Sequence, residues 1–353
     1  MKKKILLVPL MLILVMSLGA TGCPAPAPVP APAPEVIEWD ASFWGGPGAR
    51  VWPVFPWYEE EIVKRTDGRF KLTIHHGSAL SPKKEQLDGL KAGLYEMGHW
   101  ASAYHPGKNP LGSFFDIPGM YPDVYKEQVL LELAFQKHPA AIKEMEAWNA
   151  VYIGLSHTRP AYEFMGPTPI RSLADFDGQR MRTPGLAGRL IEKFGAVALL
   201  IPAPEVYEAL SKGTLDQSFF APASQAGYKI NEVSKYYTYN LGMGCSMCWF
   251  LCANKDAWNA LPEDIKEIHW KLAEELMLER LPTEMLKKVD ELFAEWKKEG
   301  IEFIKFPDAD KVTLMAGAGD IATEYAAEVD AKGLPGTEML KWLIAKKKEI
   351  AGK

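Results

Sequence analysis

Arg182 places a fixed positive charge at the point where an apolar strand gives out. It sits in Gly178-Gln-Arg-Met-Arg182-Thr-Pro184. Proline adds no donor to a strand ladder and restricts the residue before it, so the chain must turn there. A guanidinium presents a rigid fork of donors that matches a carboxylate through two parallel hydrogen bonds. The chemistry expected of such a residue is capture of an organic anion. Arg171 and Arg180 lie close by and are read as surface ion pairs.

Other side chains capable of chemistry are sparse. His75 and His76 are neighbours in a strand, face opposite ways and cannot chelate one ion together. There is no Gly-x-Gly-x-x-Gly, phosphate loop, His-Glu-x-x-His or Gly-x-Ser-x-Gly, so nothing argues for catalysis or for a cofactor. Cys245, Cys248 and Cys252 follow a Cys-x2-Cys-x3-Cys spacing inside an apolar stretch without a nearby histidine. Three readings stand: structural or pocket-lining thiols, one disulfide, or a metal site. Cys248 and Cys252 are expected on one strand face and Cys245 on the other.

The elements that must position Arg182 follow from the pattern around it. Residues 173–216 read as strand, helix, strand, helix, strand, and α/β sheets bind ligands at their strand ends. Upstream, Glu38–Phe43, Arg69–His75 and Tyr95–Ala101 read as strands separated by helices at 53–65 and 82–92. That is the repeated unit of a parallel sheet. Further helices are expected at 123–137, 140–149 and 224–234, and strands at 151–156 and 247–253. A helical stretch over 262–298 should kink or break at Pro282. Two last helices, 308–330 and 337–350, close the chain.

The N-terminus carries its own signals. Lys2, Lys3 and Lys4 precede an apolar run from Ile5 to Leu18, shorter than the ~20 residues of a membrane-spanning helix. Small residues then lead to Cys23, so residues 1–22 read as an export signal and Cys23 as a lipid-modified first residue of the mature chain. Residues 23–34, rich in Pro and Ala, form a semi-rigid spacer. Hydrophobic residues make up 48% of the chain and charged residues 24%, as in ordinary globular proteins. The net charge of −5 argues against a nucleic-acid partner.

Gly178, Arg182 and Pro184, followed by Glu205, Val206, Tyr207, Ala209, Leu210, Gly213 and Asp216, resemble the substrate-binding proteins of tripartite ATP-independent periplasmic (TRAP) transporters. The likeness continues through Ser78–Leu80, Gln86–Gly93, Tyr104–Gly107, Val233–Tyr237 and Asn254–Asp264. It implies an α/β, two-lobed periplasmic binding protein fold with a hinge and a long bridging helix. Residues 35–158 with 246–285 would form lobe I, and 159–245 with 286–353 lobe II. The hinge would lie where the chain crosses near 157–160 and 243–247, and the last helices would pack on lobe II.

The resemblance also implies that a ligand carboxylate pairs with Arg182 between the lobes. Phe43, Trp44, Trp100, Ala101 and Ser102 of lobe I, and Tyr162, Phe164, Phe219 and Phe220 of lobe II, would line that cleft. Many relatives continue Asp-Gly-Gln-Glu-Asn-Pro where this chain has Asp216-Gln-Ser-Phe-Phe-Ala-Pro222, and sialic-acid-binding relatives carry a Glu where Ala101 stands. Polar partners have given way to apolar ones, which favours an aromatic or apolar monocarboxylate over a sugar acid. The partners expected are a small organic acid, TRAP permease subunits and the membrane through the lipid on Cys23. The protein is expected in the periplasm or at the cell surface. A binding protein of an ABC importer or a sensor system is the second reading, and an enzyme the most distant.

Overall fold

Alternation of buried and exposed side chains lays down the first strands. The computed structural model describes residues 36–43, 54–105, 107–122, 124–155, 162–244 and 249–352. In β1 (Ile37–Phe43) and β2 (Phe70–His75), Trp39, Ala41, Phe70, Leu72 and Ile74 turn inward. Between them α1 (Val54–Arg65) buries Phe55, Tyr58 and Ile62, spaced for one helix face. Then come α2 (Gln86–Lys91), β3 (Met97–Ala101), α3 (Tyr125–Gln136), α4 (Pro139–Glu146) and β4 (Ala150–Leu155).

The second group comprises β5 (Glu163–Gly166), β6 (Arg180–Arg182), α5 (Gly185–Glu192), β7 (Val197–Leu199), α6 (Val206–Ser211), β8 (Gln217–Phe220), α7 (Pro222–Gly227) and β9 (Tyr236–Tyr239). The chain returns through β10 (Trp249–Asn254) and α8 (Lys255–Ala260) to α9 (Glu263–Glu275) and α10 (Leu281–Lys298). It ends with β11 (Glu302–Lys305), α11 (Asp308–Asp330) and α12 (Gly336–Ala351).

The strands make two sheets, ordered β2-β1-β3-β10-β4 and β11-β9-β5-β8-β6-β7. β1 pairs in parallel with β2 and β3, as the β-α-β-α-β reading requires, while the returning β10 lies antiparallel between β3 and β4. In the second sheet β6 runs parallel to β7 and β8. β10 thus joins the first sheet, as expected from the sequence. The expected crossings fall mostly on residues outside those described, as do Cys245 and Cys248.

One helical stretch serves both cores. Ile265 and Leu272 of α9 are buried with the first sheet, whereas Leu292 and Trp296 of α10 belong to the core of the second. α9 seats closely on β4 because Gly154 has no side chain: a Cβ there would come within 2.6 Å of Ala273 Cβ. Pro282 does not break the stretch. A π-helical turn at Leu276–Arg280 links α9 to α10. The departure from α geometry therefore falls just before the proline, whose missing N–H removes an internal bond there.

Two expectations require correction. The helix expected over 224–234 ends at Gly227, and Lys229 adopts a left-handed φ of 58°. The last helix does not pack on the second lobe. α12 lies against α3, with Trp342 ringed on His138 at 4.7 Å and Lys347 Nζ donating to Gly119 O at 2.7 Å. The reason is the length of α11. Its 23 residues span roughly 34 Å at 1.5 Å each. It starts beside the second sheet, where Leu173 N donates to Asp310, and reaches the first lobe, where Tyr325 Oη donates to Pro110 O. The helix after it must begin there.

Candidate functional site

β6 is short and lies inside the second sheet, so Arg182 is flanked by strands on both sides, opposite Leu199 of β7 and Ser218 of β8. Thr183-Pro184 then ends the strand, and α5 starts at Gly185. The first lobe comes close at this turn, with Ala103 Cβ 3.6 Å from where a Cβ on Gly185 would stand.

The Arg182 side chain has no exposed surface. Its Nε donates to Ile201 O at 3.2 Å and its Nη1 to Phe219 O at 3.1 Å. The guanidinium carbon sits 3.9 Å from the centre of the Phe220 ring, a cation–π geometry. Tyr104, Tyr162 and Tyr228 surround the group, Tyr104 within side-chain hydrogen-bonding reach, yet Nη2 has no well-formed partner. Burial pushes the guanidinium pKa down, and the tyrosines only partly offset this. The neighbouring cations are differently placed. Arg180 pairs with Asp216 and Arg171 with Glu302, and among the described residues no carboxylate pairs with Arg182.

That imbalance is energetically costly. An unmatched buried charge carries a desolvation penalty of several kcal/mol, and an unpaired buried donor about 1–3 kcal/mol. The two carbonyl bonds hold the guanidinium in place but leave its charge unneutralised. A carboxylate brought to Nη2 would satisfy both needs.

The expected lining residues divide into two groups. Phe220 lies under the guanidinium, Phe219 supplies a carbonyl, and Tyr162 stacks edgewise on Phe219 at 5.4 Å while interacting with the charge. Phe164 stands one ring further back, 4.9 Å from Phe219 and packed on Phe176.

The described contacts of the first-lobe residues lie elsewhere. Phe43 packs on Phe55 and His99 in the core. Trp100 donates from its indole N to Cys252 Sγ at 3.2 Å and packs on Phe250 and His105. Ser102 donates to Asp116 at 2.8 Å. All three are buried, and Phe43 and Trp100 pack in the core. Trp44 and Cys23 lie outside the described residues. Cys252 is a free buried thiol whose pKa burial pushes up to about 12, so it is protonated at neutral pH.

Three residues near Arg182 were not anticipated. Tyr104 lies in the short helical turn after β3, Tyr228 follows α7, and Lys83 follows β2. Lys83 Nζ stands 4.7 Å above the Tyr104 ring, and burial and Arg182 together push its pKa down. Tyr104 had a signal in the Tyr-His-Pro-Gly run at 104–107; Lys83 and Tyr228 had none, since only the folded chain brings them to the strand end. Lys83 and Tyr104 belong to the segments around the first sheet, and Arg182, Tyr162, Phe220 and Tyr228 to those around the second, so these side chains meet between the two sheets. Among the described residues no group of three His, Cys, Asp or Glu could hold a metal ion, and no helix is long and apolar enough to cross a membrane.

Among the described residues no acidic side chain neutralises Arg182, and the fold is that of the two-lobed periplasmic binding proteins. Residues 57–328 match the family described as bacterial extracellular solute-binding protein, family 7 (DctP). The chain belongs to that family, the substrate-binding proteins of TRAP transporters.

Over 218 residues it is 28% identical to a Nostoc protein named monocarboxylate 2-oxoacid-binding periplasmic protein, covering 59% of this chain and 57% of that one. The match thus spans less than two thirds of that relative. A TRAP periplasmic solute binding protein from Desulfovibrio salexigens, solved with bound orotic acid, superposes with a TM-score of 0.78 at 22% identity. That match covers 89% of this chain and 99% of the other. A TRAP solute binding protein from Rhodoferax ferrireducens, in complex with copurified benzoate, gives a TM-score of 0.78 at 18% identity, covering 90% and 99%.

Proposed function

We propose that the protein captures a small organic monocarboxylate with an aromatic or apolar body at Arg182 and delivers it to a TRAP permease. The observation that carries this reading is the wholly buried guanidinium, which has no acidic partner among the described residues. Aromatic side chains around it favour a flat or branched apolar body through area burial and ring contacts, about 25 cal/mol per Å² and roughly 0.5–1.5 kcal/mol per well-placed pair. The hydroxyls of Tyr104, Tyr162 and Tyr228 add partners for an oxygen next to the carboxylate, as in a 2-oxo acid. Relatives that bind 2-oxoacids, orotate and benzoate support this class. Capture proceeds by closure of the lobes, divided as the sequence suggests except for α12, because both contact the ligand only when closed.

Thermal shift of the purified protein with aromatic, branched-chain and 2-oxo acids, against sialic and uronic acids, is the first measurement. Stabilisation by the sugar acids alone would overturn the apolar reading. With a confirmed ligand, calorimetry on Arg182→Ala should show at least a ten-fold loss of affinity with the fold intact, since a charge-assisted contact contributes about 1.5–3 kcal/mol. Arg182→Lys should also bind poorly because the fork is gone. Unchanged binding in Arg182→Ala would refute the anchor. The further proposal that Cys23 carries lipid rests on the basic, apolar and small-residue order before it. Intact-mass analysis of the membrane fraction from the native host should show an acylated Cys23; a free thiol there would remove it.

A further inference from the structure

Lys83, between β2 and α2, is close enough to Arg182 for the two charges to repel. It is half-buried, and its Nζ sits 4.7 Å above the centre of the Tyr104 ring. Tyr104 is itself within side-chain hydrogen-bonding reach of Arg182, so one tyrosine touches both cations. Among the described residues no carboxylate forms an ion pair with Lys83. Glu205 exerts the smallest of the four influences on it, after burial, Arg182 and the adjacent Lys84. Lys108, just past Tyr104 in the chain, is by contrast paired with Asp88.

Two like charges held together without an acid repel, and more strongly where water is scarce. An anion between them reverses the sign of the interaction. The donors of Arg182 are already partly committed. Nε has a single hydrogen and gives it to Ile201 O, which closes the side-on pair of Nε and Nη2 to a carboxylate. Nη1 donates to Phe219 O, and Nη2 has no well-formed partner. A carboxylate offers roughly four acceptor sites, more than the remaining hydrogens of Arg182 can fill. An ammonium supplies donors only, and suits the oxygen that Arg182 leaves unfilled.

We propose that Lys83 is a second cationic contact for the ligand carboxylate, so that the anion bridges Lys83 and Arg182. This rests on the reading of Arg182 as the anchor and adds a donor from the segments around the first sheet. The site then recognises the full charge of the carboxylate twice, whatever the body attached to it.

Benzoate and phenylpyruvate are the probes, measured by calorimetry in the wild type, Lys83→Met, Lys83→Arg and Arg182→Ala. Lys83→Met keeps an unbranched stem over Tyr104 and removes the charge. It should weaken both probes by the same factor, about ten-fold. Lys83→Arg keeps the charge and should recover most of that loss. Burial and Arg182 hold the Lys83 pKa below the usual lysine value. As pH rises through it the charge is lost, so wild-type affinity should fall more steeply there than in Lys83→Arg, which stays charged. Unchanged affinity in Lys83→Met, a loss that Lys83→Arg does not recover, or matching pH profiles would overturn the inference. A loss confined to phenylpyruvate would also overturn it, by placing Lys83 on the 2-oxygen instead. If Arg182→Ala still loses both probes in those cases, the anchor stands and the Lys83 contact alone falls. If Arg182→Ala binds as the wild type does, or neither probe binds the wild type, both fall together.

Discussion

Glu163 shows how a single residue beside the site can set the response to pH. It opens β5, next to Tyr162, and accepts from Asn240 N at 3.1 Å and from the Leu241 amide. Its other oxygen is buried without a partner. Burial outweighs the two amides and Lys311, and pushes the carboxyl from 4.5 up to about 8. The folded state therefore holds a proton that the unfolded state releases near its ordinary value. Stability falls as pH rises between those two values and levels off above the higher one. Glu144, raised by burial to about 7 while it accepts from Leu111 N and Asn109, acts in the same direction. Burial holds the His269 ring neutral, with its pKa pushed down to about 3, and this acts in the opposite direction below about 6.5. The unfolding midpoint should therefore fall as pH rises from about 6.5 to about 8, and Glu163→Gln should flatten that fall without abolishing it. Identical pH profiles for the two proteins would show that Glu163 is not the source.

Among the elements, legibility in the sequence followed periodicity. Phe70, Leu72 and Ile74 alternate, and β2 was plain; the strand-helix-strand order around Arg182 was equally so. The sequence of the last helix does not tell which surface covers Met339 and Leu343, both fully buried, and so does not place it against α3. That depends on how far α11 carries the chain. Pro282 was a true signal of departure from α geometry, but the π turn just before it lets the helix continue. At the site, Arg182 could be read from its place before Thr-Pro, and Phe219 and Phe220 from their strand. Trp100 and Phe43 could not be sorted from core residues, because a ring at a strand end looks the same whichever face it takes. Lys83 and Tyr228 depended on tertiary folding alone.

At the scale of the whole molecule, one helical stretch enters both cores and joins the two sheets. A ligand paired with Arg182 should draw the lobes together, so small-angle scattering should give a smaller radius of gyration at saturation than without ligand. An equal radius in both states would argue against closure on binding. The complete enclosure of Arg182 has a kinetic consequence. If the proposed anion binds there with Ala103 packed against the Gly185 turn, it would leave only after the lobes part. Its residence time is then bounded by the opening motion rather than by the strength of its own contacts. Tight and weak ligands of similar size would converge on a common upper limit of escape, and a membrane partner that pries the lobes apart would set the rate of unloading.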